Sequence, residues 1–98
     1  MQDKEFVWDE NKHRTNKRKH GVSFEEASSV FDDEYAIYFD DEEHSQDEDR
    51  FIIVGLSKFD RLLIVCQCYR ENDAVIRIIS ARKATRTEQT QHGGAWNA

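Results

Sequence analysis

The sequence predicts an α+β fold: one antiparallel β-sheet, two N-terminal helices and a short C-terminal helix. Three observations predict it. Helix caps and helical spacings are grouped before residue 32. Four runs rich in Val, Ile, Tyr and Phe are grouped after it. Short polar links join the later runs, which suits antiparallel neighbours.

Each element has a local reason. EFVW (Glu5 to Trp8) is a short apolar segment with the character of an edge strand. Asp9 is an N-cap for the helix DENKHRTNKRKHG, which ends on basic residues before Gly21. That helix has almost no apolar face. In VSFEEASSVF, Ser23 and Glu26 have capping-box spacing, and Val22 and Ala27 are placed as a hydrophobic staple. Phe24, Ala27 and Phe31 recur at helical spacing and are expected to face the core, with Ile53, Leu63, Val65 and Ile78 opposite them. YAIYF (Tyr35 to Phe39) reads as a strand and DDEEHSQDED as a charged loop. RFIIVGL (Arg50 to Leu56) and RLLIVCQCY (Arg61 to Tyr69) form a hairpin through Ser57 to Asp60. AVIRIISAR follows the turn RENDA as the last strand. Thr85 and Glu88 then have the spacing to start a short helix.

A chain of 98 residues is one domain with a modest core. It has no apolar run that could span a bilayer and no apolar leader, so a soluble protein of the cytoplasm is expected. Cys66 and Cys68 lie two apart on one strand face, which favours buried thiols over a disulfide framework or a zinc site. The net charge of −6 is segregated: residues 21–49 carry twelve Asp or Glu and no Lys or Arg, whereas the chain on either side is net basic. An acidic total therefore does not exclude a polyanion partner, provided the two basic parts meet.

The candidate functional residues are basic. Strict alternation places Val75, Arg77, Ile79 and Ala81 on one sheet face and Ile76, Ile78, Ser80 and Arg82 on the other. Arg77 is then a charge inside a sheet, either ion-paired or part of an anion site. Guanidinium suits phosphate because its fork matches two oxygens. Arg50 and Arg61 begin neighbouring strands, so several arginines are expected to converge. KHRTNKRKH adds Lys12, Arg14, Lys17, Arg18 and Lys19, and His20 is a candidate acid or base beside Gly21. The acidic loop could hold a hard cation, but it lacks the EF-hand alternation and is expected to be solvated, away from any groove that takes a polyanion. No serine triad, phosphate-binding glycine loop or HExxH is present.

The segments FVWDENK, KHGVSFEEA, VFDD, HSQDEDRFIIVG, RLLIV and IRIISARKAT, with Glu88 closing the match, run in order from Phe6 to Glu88. Together they resemble the BrnT family of toxins. The resemblance implies the toxin half of a type II toxin–antitoxin pair, with a RelE-like fold. It implies an endoribonuclease that cleaves RNA without a metal or other cofactor and inhibits translation. The implied partner is a BrnA-like ribbon-helix-helix antitoxin, with operator DNA reached only through that antitoxin. Residues 1–88 are expected to form the toxin domain and residues 89–98 a disordered tail. The family pattern covers Lys19, His20, His44, Arg50, Arg61, Arg77, Ser80, Arg82 and Lys83. The expected catalytic set is His20, Arg61, Arg77 and Arg82, and the expected RNA contacts are Lys17, Lys19, Arg50, Lys83 and Arg86. Two features depart from the family: the turn Ser57 to Asp60 has no glycine, and the C-terminal helix is short.

Two other functions stay open at this level. One is a catalytically inactive toxin relic that binds the antitoxin and acts as a co-repressor module. The other is a nuclease that draws a metal into the acidic loop.

Overall fold

The computed structural model describes residues 4–41, 49–70 and 74–90. Its five strands are β1 (Glu5–Val7), β2 (Ile37–Asp40), β3 (Arg50–Leu56), β4 (Leu62–Arg70) and β5 (Val75–Lys83). They form one sheet in the order β1-β5-β4-β3-β2. The helices are α1 (Glu10–His20) and α2 (Phe24–Ser29), followed by a 3-10 turn at Val30–Asp32. Residues 86–90 are helical. His44 and most of the acidic loop fall outside the described residues, as does the expected tail from residue 91 on. No helix among the described residues is long and apolar enough to cross a membrane.

The caps formed as their sequences dictate. Asp9 accepts from the backbone of Asn11 at 2.8 Å and of Lys12 at 3.1 Å, starting α1. Gly21 ends α1 in the left-handed region at φ 70°, where a residue without Cβ is favoured. Ser23 caps α2 by accepting from Glu26 N at 3.0 Å. The capping box is only half made, because the Glu26 carboxylate turns away to Arg61 and Ser57. In the β3–β4 hairpin, the glycine-free turn is closed by Asp60, which takes the left-handed conformation at φ 60°.

The helices cover one sheet face. Val22, Phe24, Ala27 and Val30 pack on Ile53, Leu63, Val65, Ile78 and Ala81, all essentially inaccessible to water. Burying side chains of this size contributes roughly 1.5–3 kcal/mol each for the larger ones. Phe31, expected in the core, is only half-buried. It sits at the core's margin between Phe6, 5.2 Å away centroid to centroid, and Tyr38 at 6.5 Å. The 3-10 turn carries it past the end of α2, off the helical spacing that would have pointed it inward.

α1 buries a polar face. His13 stacks on Phe24 at 5.1 Å and meets Trp8 edge-on. Asn16 is buried against β5, donating to Val22 O at 3.0 Å and to Ala81 O at 2.8 Å, and accepting from Ala81 N at 3.0 Å. The helix has no apolar face, as expected; Lys17, Arg18 and Lys19 are exposed, and it docks through His13 and Asn16.

The sheet is mixed, not antiparallel throughout. β2, β3, β4 and β5 pair antiparallel, but β1 runs parallel to β5, with Phe6 opposite Ile76 and Val7 opposite Arg77. The direction follows from what comes next. A parallel β1 ends beside Arg77 and delivers α1 along the second half of β5, where Asn16 bonds Ala81 in place of a strand neighbour.

One irregularity decides which side chains share the uncovered face of the sheet. Gln67 lies opposite Ile78 but Cys66 lies opposite Ser80, so Ile79 is an extra residue and β5 bulges there. Arg77 lies opposite Cys68 and Arg82 opposite Ile64, and those two β4 residues share a face. Arg77 and Arg82 therefore point to the same side, the one away from the helices. Simple alternation had put them on opposite sides. The same register corrects a second expectation: Arg50 lies opposite Cys68, near the end of β4, whereas Arg61 precedes its start. Antiparallel strands that each begin with arginine place those arginines at opposite ends of the pair.

Candidate active site

On the uncovered side of the sheet, a cleft of about 340 Å³ is lined by His20, Asp41, Arg50, Cys66, Ser80 and Arg82, with apolar walls from Ile52, Ile64 and Ile79. Each polar side chain arrives for a stated reason. Arg50, Cys66, Ser80 and Arg82 come from neighbouring strands on the same face through the register and the bulge. His20 comes from the last turn of α1. Asn16 lies one helical turn earlier and fixes that turn to the strand at Ala81, between Ser80 and Arg82. Asp41 follows β2 and bonds through its N–H to Arg50 O at 2.9 Å.

A second groove, lined by Lys12, Asn16, Lys19, His20 and Ser80, adjoins the first. His20 and Ser80 belong to both. The result is a path from the exposed edge of α1, over His20, onto the arginine-bearing sheet face. A phosphodiester chain would meet lysine, histidine and arginine in turn along it.

The arginines differ in what they hold. Arg50 and Arg77 flank Cys68 from either side in one row across the sheet, and both are half-buried. Arg82 is gripped by Glu88: Nη1 donates to Oε1 and Nη2 to Oε2, each at 2.9 Å. That ion pair, helped by Thr85, holds the Glu88 carboxyl well below the usual range, at about 2. Arg61 lies elsewhere. Its Nε donates to Glu26 Oε2 at 2.8 Å, its Nη2 to Glu26 Oε1 and, at 3.0 Å, to Gly21 O. Glu26 is buried, and the Arg61 hydrogen bonds are the main reason its carboxyl stays below the ordinary value. Arg61 does not line the cleft.

The remaining expected RNA contacts are spread over three elements, and only Lys19 lines a groove beside the cleft. Lys19 lines the second groove, and Lys17 is exposed on α1. Arg86 is exposed on the helical turn after β5. Lys83 lies opposite Leu63 and is exposed, on the face opposite Arg82.

The cysteines are packing residues. Burial, then the charge of Asp41, pushes the Cys66 thiol up to about 11, and the opposing pull of Arg50 is too weak to reverse it. Such a thiol stays protonated and is a poor nucleophile at neutral pH.

Two cleft features escaped the sequence. Asp41 was expected to lie with its acidic neighbours away from the groove, but pairing of β2 with β3 draws it in beside Arg50. Asn16 carried a signal that could have been used: His13, Asn16 and His20 share one face of a helix without apolar residues, so that polar stripe had to be the docking face.

Comparison with known proteins supports the fold. The crystal structure of the Brucella abortus ribonuclease toxin BrnT superposes with a TM-score of 0.65. It covers 85% of this chain and 99% of that one at 24% sequence identity, which is evidence for a shared fold. No curated protein matches the chain. Residues 8–88 match the family described as "Ribonuclease toxin, BrnT, of type II toxin-antitoxin system". That match spans most of the sequence, and the chain belongs to the BrnT family of ribonuclease toxins of type II toxin–antitoxin systems.

Proposed function

We propose that the protein is a metal-independent endoribonuclease that arrests translation by cutting RNA in the cytoplasm. The observation that supports this reading is the convergence of Arg50 and Arg82 in one cleft with His20 at its border; Arg77 is on the same sheet face but does not line the cleft. In this mechanism the ribose 2′-OH attacks the adjacent phosphorus and the 5′-oxygen leaves. His20 exchanges a proton with one of these oxygens, and Asp41 is the second proton-exchanging group in the cleft. The arginines orient the phosphate and stabilise the charge that builds on its oxygens. Lys12 and Lys19, which line the second groove, hold the flanking backbone by charge, and the exposed Lys17 and Arg86 add to the attraction.

The partner is a BrnA-like ribbon-helix-helix antitoxin, and operator DNA is reached through it. The edge strand β2 is suited to receive it. Tyr35, Tyr38 and Phe39 are at least half exposed there, beside the exposed acids Asp32, Glu34 and Asp40. An antitoxin segment with apolar and basic side chains complements that edge.

Purified protein should cut RNA equally well with and without EDTA and leave 2′,3′-cyclic phosphate ends, read by end-group analysis. Cutting abolished by EDTA would replace this mechanism with a metal-dependent one. No cutting under either condition would leave the chain as an antitoxin-binding module.

A further inference from the structure

The chain's own carboxylate on Arg82 has two opposite meanings. Glu88 could block the anion site, or it could aim the arginine. Counting donors separates them. A guanidinium has five N–H groups. Two of those on Arg82 go to the Glu88 oxygens at 2.9 Å, and the second hydrogen of Nη1 faces Lys83 O at 3.3 Å. Among the described residues, the two that remain without a partner are Nε–H and the adjacent hydrogen of Nη2. They lie side by side on one edge, the spacing that two phosphate oxygens accept.

The carboxylate is also held independently of Arg82. Thr85 N donates to Glu88 Oε1 at 2.8 Å, and Glu88 N donates to Thr85 Oγ1 at 3.1 Å, a reciprocal helix cap. A latch must swing away, whereas this group is built into the start of a helix. Arg82 lines the cleft and Glu88 does not.

We infer that Glu88 is a positioning residue, which grips the end of the Arg82 guanidinium so that its Nε edge is presented to the scissile phosphate. Its kinetic consequence rests on the ribonuclease reading above. Because Glu88 neutralises Arg82, this arginine contributes directed hydrogen bonds rather than net charge.

The test compares wild type, Glu88→Gln and Thr85→Ala. Glutamine can keep the cap but loses the ionic grip. Thr85→Ala loses a cap bond but keeps the grip. Glu88→Gln should bind RNA within about threefold of wild type yet cleave saturating RNA about tenfold or more slowly, since misaimed groups cost rate more than affinity. Thr85→Ala should cleave within about threefold of wild type. Cleavage by Glu88→Gln that is unchanged or faster, or an equal fall in both variants, overturns the assignment. A second readout is independent of cutting. Titration with inorganic phosphate should shift the Arg82 Nε–H NMR signal in wild type, and less in Glu88→Gln. If wild type does not cut RNA, the ribonuclease reading fails and this titration alone decides the role of Glu88. If Glu88→Gln does not fold, the wild-type titration decides. An absent shift in wild type, or an equal shift in both, contradicts the role.

Discussion

Replacing Arg82 with alanine should slow RNA cleavage by about a hundredfold or more while the protein remains folded. The size follows from the loss of one preorganised donor group to the transition state, typically a hundredfold to a thousandfold in rate. The fold should survive because neither partner is deeply buried: the Arg82 side chain is 41% exposed and that of Glu88 35%. An ion pair at such a site contributes about 1 kcal/mol or less. Arg82→Lys should not restore the rate, since an ammonium cannot grip Glu88 with two parallel bonds and still offer a two-pronged edge to phosphate. Arg77→Ala should add to the defect, because Arg77 stands on the same face through the bulge at Ile79. Single-turnover cleavage of a defined RNA measures these effects, and growth arrest on expression reports them in cells. A full rate in the Arg77→Ala, Arg82→Ala double variant would remove both from the site.

Replacing Arg61 with alanine should instead destabilise the fold by about 3–5 kcal/mol, the usual cost of stranding one member of a buried ion pair. The Glu26 side chain is only 3% exposed. With Arg61 gone it keeps Ser57, whose Oγ donates to Oε2 at 2.7 Å, and loses its charge partner. Urea unfolding at pH 7 measures the loss. The pH dependence identifies its origin. In the wild type the Glu26 carboxyl lies below its ordinary value of 4.5, chiefly because Arg61 hydrogen-bonds to it. The pair's stabilisation is therefore fully present above about pH 4.5 and is lost as pH falls through the lowered folded value. In Arg61→Ala, burial is opposed by only the Ser57 hydrogen bond and the more distant Lys58 charge, so the balance moves toward the neutral acid. The gap between variant and wild type should thus shrink as pH falls toward 4. Glu26→Gln combined with Arg61→Ala should be more stable at pH 7 than Arg61→Ala alone, because a neutral amide is cheaper to bury than a charge. A gap that stays constant with pH would contradict the stranded-carboxylate account. Lost toxicity in Arg61→Ala would then need a stability measurement before it could speak to catalysis.

The contrast between these two arginines shows what the sequence could and could not disclose. β3, β4 and β5 were legible to within a residue, because apolar runs bounded by turns leave little freedom. α1 was legible from Asp9 and Gly21, whose chemistry suits only helix ends. The bulge was not legible. A period-two pattern states which residues alternate, and a single inserted residue such as Ile79 reverses every face after it. The grouping of Arg77 with Arg82 depended on that reversal. The parallel β1 was hidden as well, since three residues of apolar sequence fit either direction. The partner of Arg61 was hidden because Glu26 stood where a helix cap explained it completely. In the fold, the backbone of Glu26 is capped by Ser23 and its side chain is left to serve Arg61.

RNA is proposed to bind on the sheet face away from the helices, in the cleft bordered by His20. Amide and side-chain NMR shifts on titration with an uncleavable 2′-deoxy oligonucleotide test it most directly. The largest shifts should fall on His20, Arg50, Cys66, Ser80 and Arg82 and continue along Lys12 and Lys19. Shifts confined to the β2 edge at Tyr38 and Phe39, or to the surroundings of Arg61 and Glu26, with the cleft unchanged, would contradict it.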